Sequence, residues 1–280
     1  MLAMLGAGLA AGLHAATWGM YKDSLYEGFS SRKYLRSIVL GVLVAFVVQA
    51  IRPQPLETAG GIAVLFGLVY VVERLVTEWL KVFLRVEDQS KYFIPMQFAV
   101  LGRPVQHRGI RLAAGLAYGA ALAGAVHLLD RLQGSSTPSW GAAVLAAAFA
   151  GGLCAVGGAW KDAPCEGFQL LKFFRSPLIA AAWGAVLALF STDLVAVGFS
   201  ALGYSIATIE THKKFLSSDS APGKFTGKVE RFPEMRQRRR RFVPLYAGVW
   251  AAVLLTIGVA VTVELRSRGP ELVLLFGGGR

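Results

Sequence analysis

Charge is what this sequence has least of. Only 16% of its residues are Asp, Glu, Lys or Arg, where a soluble domain carries about a quarter. Cysteine is nearly absent as well. Cys154 and Cys165 have no CxxC neighbour, which excludes a disulfide framework or a zinc ribbon. The four histidines, His14, His107, His127 and His212, show no ligand spacing. No GxxxxGK[ST] phosphate loop, GxSxG elbow or HExxH helix occurs. Asp-rich prenyl-diphosphate pairs and a DG…AR…D…D phosphotransferase pattern are missing too. Any cofactor is left unidentified by these absences. The N-terminus lacks a basic n-region, so a cleavable signal peptide is not expected.

Hydrophobic residues make up 55% of the chain, with a mean hydropathy of +0.52. They fall in long uninterrupted runs, the pattern of a polytopic membrane protein. Eight spans are expected, at about 2–20, 37–53, 58–80, 111–130, 139–159, 177–192, 194–212 and 242–263. The fold class read from this is an all-α membrane protein, with the lipid bilayer as its main partner.

One charged stretch occurs twice. Lys22, Asp23, Glu27, Gly28, Phe29, Lys33, Arg36 and Ser37 recur, at one constant displacement, as Lys161, Asp162, Glu166, Gly167, Phe168, Lys172, Arg175 and Ser176. Farther on, Glu78, Lys81 and Phe83 correspond to Glu210, Lys213 and Phe215. Such self-similarity marks a tandem duplication. Residues 1–133 form one four-helix repeat, 139–265 the second and 266–280 a short external tail. Four spans per repeat place both copies in the same orientation, related by a twofold axis along the membrane normal.

The net charge of +12 is concentrated on one face. Of the Lys and Arg residues, only Arg52, Arg74, Arg131, Arg266, Arg268 and Arg280 lie elsewhere than the connections on the motif side. The positive-inside rule then makes that face cytoplasmic and both termini external, in a cell or inner membrane. It also assigns the basic residues to membrane topology rather than to nucleic acid. Residues 85–110 contain an apolar patch, Tyr92 to Leu101, expected to lie among lipid headgroups. The run Arg238 to Arg241, in the polar connection 216–241, reads as an anchor on anionic lipid. A specific anionic partner is its alternative reading.

Asp and Glu stand four apart in each motif, on one helical face. In the second copy Pro164 suits a helix start capped by Asp162. The functional reading gathers Asp23, Glu27, Asp162 and Glu166 about the axis, joined by Glu78 and Glu210, as a gate or an ion or anion site. Lys22, Lys33, Arg36, Lys161, Lys172 and Arg175 complete it. The plain reading is that these charges neutralise one another and shape a turn. Inside the membrane, Arg74 is spaced to pair with Glu78, and a lone His14 or His127 suits a hydrogen bond to a neighbouring helix. Glycines such as Gly8, Gly12, Gly115 and Gly151 suit close helix packing. A transporter or channel, a metal-dependent lipid-phosphate-modifying enzyme, and a structural subunit of a larger membrane complex or homo-oligomer all fit this pattern.

Overall fold

The computed structural model describes residues 1–134, 137–216 and 221–268. Most of the expected tail, from residue 269 onward, lies outside the described residues. Eight long helices account for most of the described residues. They are α1 (Leu2–Glu27), α2 (Ser31–Ile51), α3 (Ala59–Trp79), α4 (Arg108–Gln133), α5 (Trp140–Glu166), α6 (Leu170–Leu187), α7 (Leu194–Thr211) and, after a short α8 (Met235–Arg238), α9 (Val243–Arg268). Seven helical segments among the described residues are long and apolar enough to cross a membrane. The chain is thus built as an all-α, multi-pass membrane protein. The exception is α1, whose apolar run is diluted by Gly6, Gly8, Gly12, Gly19 and His14.

Starts are set by side-chain caps that satisfy otherwise orphaned amides. Ser30, Thr58, Ser139 and Asp193 accept from the N–H three residues on, at 3.3, 3.0, 3.2 and 2.9 Å. The ends of α1 and α5 are set by Gly28 and Gly167, at φ +71° and +79°. Such a φ is open to glycine at little cost. The motif therefore straddles a helix end, a tight glycine turn and the start of the next helix. Helix α5 runs through Pro164 to Glu166, so Asp162 lies within a helix and caps nothing. The proline costs α5 a hydrogen bond only in its final turns.

Helices α3 and α7 form the centre and are buried over most of their surface, while α2, α4, α6 and α9 keep apolar faces exposed. A helix that is apolar all round belongs in such a centre. The seam between α3 and α7 is made of small residues: a Cβ on Gly203 would collide with the Gly67 carbonyl oxygen, and one on Gly67 with Ser200. Gly8 and Gly12 face α2 and Gly151 faces α6 at similar closeness, whereas Gly119, Gly152, Gly157 and Gly158 have open space beside them. Both α3 and α7 end in a π-helical turn, Leu80–Leu84 and His212–Leu216. The fourth helix of each half reaches across, with α9 packing on α3 and α1, and α4 touching α7.

The end opposite the motifs is tied by Arg52, which donates to Asp193 at 2.5 and 2.6 Å and to Asp130 at 2.8 Å. Those bonds hold the end of α2 to the start of α7 and the end of α4.

Two connections differ from expectation. Residues 85–110 fold partly onto the protein: Tyr92 and Ile94 are buried, Phe93, Val100 and Leu101 stay exposed, and a two-stranded hairpin pairs 99–100 with 103–104. Connection 216–241 carries its own small core, in which Phe225 stacks on Tyr26 at 4.2 Å and Met235 is buried. Apolar side chains too few for a span still cluster with one another. Arg239 is buried as well and donates to the Tyr21 carbonyl at 2.9 Å, while Arg238, Arg240 and Arg241 stay exposed. Only part of that arginine run is thus free to meet lipid.

Candidate functional site

The motif ends of α1, α5, α3 and α7 converge. Their charges sort into a centre and two flanks.

The centre is formed by lysines of the motifs and glutamates of the third helices, each lysine serving the opposite half. Lys22 Nζ lies 4.0 Å from Glu210 Oε2, an ion pair without a hydrogen bond. Lys161 interacts electrostatically with Glu78 in the matching sense. Each glutamate also has a local partner, Lys81 for Glu78 at 2.9 Å and Lys213 for Glu210 at 3.3 Å. Arg74 therefore does not pair with Glu78. It turns to its neighbour Glu73, Nε to Oε2 at 2.7 Å, and Thr77 donates to the same carboxylate at 3.1 Å. Glu73 is fully buried. Arg74 also lies over the Trp18 ring at 5.3 Å.

Deeper still, Tyr70 links α3 to α1, taking a bond from Trp18 Nε1 at 2.7 Å and meeting His14 Nδ1 at 3.1 Å. His14 thus bonds a neighbouring helix. His127 instead meets Arg131 of its own helix at 3.3 Å.

The motif carboxylates are held apart on the flanks. Glu27 accepts from Lys33 at 3.0 Å, and Glu166 from Lys172 at 2.6 Å, with Asp162 beside the same Lys172 at 3.0 Å. Between them sits the turn Gly223–Phe225. Lys224 reaches Asp23 at 2.8 Å and Glu27 at 3.7 Å, and a Cβ on Gly223 would meet Glu166 Oε1. Tyr92 donates to Glu27 at 3.1 Å. Burial, with the Glu27 charge beside it, pushes the Tyr92 hydroxyl above the ordinary tyrosine range.

A pocket of about 110 Å³ opens beside the first motif, between α1, α2 and α3, and reaches down to Ala15 and Ala16. Six cations line it: Lys33, Arg36, Arg74, Lys81, Arg85 and Lys224. Three carboxylates, Asp23, Glu27 and Glu87, oppose them. A second pocket, of about 170 Å³, takes the corresponding place beside the second motif. There Ile206 and Ile209 stand where the first has Arg74 and Thr77. The two motifs thus line two pockets, not one shared cavity.

Among the described residues no group of three or more His, Cys, Asp and Glu side chains is close enough to hold a metal ion. The carboxylates face lysines, not one another.

The part of the site missing from the sequence reading is the Gly223–Phe225 turn. Its signal there is the set of scattered apolar residues Phe225, Phe232 and Met235 in a mostly polar connection. Compared with known proteins, the chain matches no family model, no curated protein and no solved structure.

Proposed function

We propose that this protein is a membrane transporter or channel for a small anion, gated on the motif side. One observation carries the reading: a pocket lined by cations runs between α1, α2 and α3 from the motif end, and Lys224 of a turn held by two ion pairs forms part of its wall. Arg74 and Lys81 are paired with Glu73 and Glu78 just outside the lining, so the six cations exceed the carboxylates that face them by one charge, which favours an anion. Arg74, charged and within a spanning helix, extends that attraction below the interface. Ionisable groups at such depth mark ion or substrate paths. Lys224, bound to Asp23 and Glu27, is the latch of the gate. The lipid-phosphate enzyme is less well supported, because its carboxylates are not assembled as metal donors.

In this reading the eight helices form two repeats about a twofold axis along the membrane normal, Asp23 over Asp162 and Glu78 over Glu210. The exchanged Lys22–Glu210 and Lys161–Glu78 interactions and the paired π turns support it. The motif face is cytoplasmic, by charge. Cysteines introduced at Ser30 and Gln169 are expected to react with an impermeant maleimide in inverted vesicles and to stay unlabelled on intact cells. Labelling from outside overturns this orientation.

The gate is tested with Glu27→Gln, Glu166→Gln and Lys33→Gln in reconstituted vesicles, reading currents driven by gradients of phosphate, sulfate or a dicarboxylate. Removing the Glu27 charge, which lies 3.7 Å from Lys224 as an ion pair, loosens the turn over the pocket and is expected to change gradient-driven flux about tenfold in Glu27→Gln. Glu166 does not touch Lys224, so Glu166→Gln is expected to stay within about twofold. Lys33, half exposed at 52% of its side chain, lines the pocket and donates to Glu27, so Lys33→Gln reports the loss of one pocket cation with the Lys224 contacts intact. Unchanged flux in Glu27→Gln would leave the motif as a turn-shaping element only.

A further inference from the structure

We infer that the pocket beside the second motif binds the phosphate of an anionic lipid, with the acyl chains leaving along its apolar side. The inference does not rest on the transport reading, which concerns the first pocket.

Charge supplies the head-group half of the site. Lys172, Arg175 and Lys213 line the pocket against Asp162 and Glu210. Both acids are already engaged, Asp162 by Lys172 at 3.0 Å and Glu210 by Lys213 at 3.3 Å. Arg175 is the cation in excess, and its Nε is buried without a hydrogen-bond partner. A buried guanidinium N–H left unmade is costly, and a phosphate oxygen is the acceptor its planar fork fits best.

Shape and apolarity supply the rest. Where the first pocket has Arg74 and Thr77 on α3, this one has Ile206 and Ile209 on α7, with Cys154 and Phe173 also in its wall. A free inorganic anion gains nothing from that wall. An amphiphile does. The first pocket is covered by Tyr92, Met96 and Lys224, and the Phe232 ring lies 3.3 Å from a Cβ built on Gly28. Among the described residues, the second is lined only by α5, α6, α7 and the turn between α5 and α6. A Cβ on Gly167 or Gly158 meets nothing within 4 Å. That turn and the start of α6 expose Phe168, Leu170, Leu171 and Phe174, which are 60%, 61%, 87% and 48% accessible. Placed at the membrane interface, these side chains enter lipid and set the pocket mouth at head-group depth.

The test uses the purified full-length protein in a neutral detergent. Its melting temperature is titrated with didecanoyl phosphatidic acid, didecanoyl phosphatidylcholine and inorganic phosphate. Phosphatidic acid is expected to bind tightest. Arg175→Gln is expected to weaken that binding about tenfold, as for loss of a charge-assisted bond. Gly158→Leu, at a lining position where an added Cβ meets nothing within 4 Å, is expected to weaken it at least as much. Arg36→Gln, in the first pocket, is expected to leave it unchanged. Ligand-free melting checks that each variant is folded. Binding that survives both Arg175→Gln and Gly158→Leu overturns the site. So does a loss in Arg36→Gln as large as that in Arg175→Gln. Stabilisation by inorganic phosphate equal to that by phosphatidic acid would identify a free-phosphate site and overturn the lipid assignment.

Discussion

Replacing Arg74 with methionine is expected to cost the protein much of its stability, and removing Glu73 as well is expected to restore the fold but not the flux. The pair is buried together, Glu73 at 0% and Arg74 at 7% exposure, in the last third of α3. Arg74→Met strands a carboxylate that retains only the Thr77 hydroxyl as a donor partner. Breaking such a pair from one side costs about 3–5 kcal/mol, out of a total stability of about 5–15 kcal/mol. The double variant Glu73→Gln with Arg74→Met removes both charges. Replacing a buried pair by neutral groups of similar volume is close to neutral for stability. Detergent melting should therefore fall sharply in the single variant and recover in the double one. Anion flux should be lost in both, because the deepest cation of the pocket is gone. A double variant that melts normally and conducts normally would make the pair a packing device.

The second large effect is expected at the seam. Gly203→Leu puts a branched side chain where a Cβ alone collides with the Gly67 backbone. Helices in lipid are held by close packing, not by a hydrophobic drive. The intrusion must therefore push α3 and α7 apart along much of their length. Overpacking a well-filled interior costs about 1–3 kcal/mol and sometimes more. At this contact a backbone atom is in the way and has nowhere to move. Poor membrane yield and early aggregation on size-exclusion chromatography are the expected outcome. Gly119→Leu, which faces open space, is the matched control. Equal behaviour of the two variants would refute the seam as the point of closest approach.

The helices and the repeated motif were legible because both are local. Apolar runs of the right length give spans, and Gly28 and Gly167 mark where α1 and α5 stop. Span ends were misplaced where charge continues along a helix beyond the apolar run. The sequence suggests a second span from residue 37 and a sixth from 177, but α2 begins at Ser31 and α6 at Leu170. The partner of Arg74 was misjudged for a different reason. Helical spacing favours Glu78, yet Lys81 already holds that carboxylate, and a long guanidinium in a dry interior bends to the nearest acid. The latch was beyond reach altogether. Lys224 finds Asp23 across some two hundred residues of chain, and only the folded arrangement of two connections brings them together.

The exchanged lysines have a consequence for how the chain is made. Glu78 leaves the ribosome long before Lys161, and α3 long before α9, which packs against it. While only the first half exists, a carboxylate at the membrane boundary lacks its distant counter-charge and a central helix lacks part of its cover. The first half is therefore not a finished intermediate. It must wait in the bilayer, held by its own Lys81, until the second half is synthesised. In the two-repeat arrangement proposed above, the Lys22–Glu210 and Lys161–Glu78 interactions form only when the halves meet, and would favour the true partner over a half from another chain.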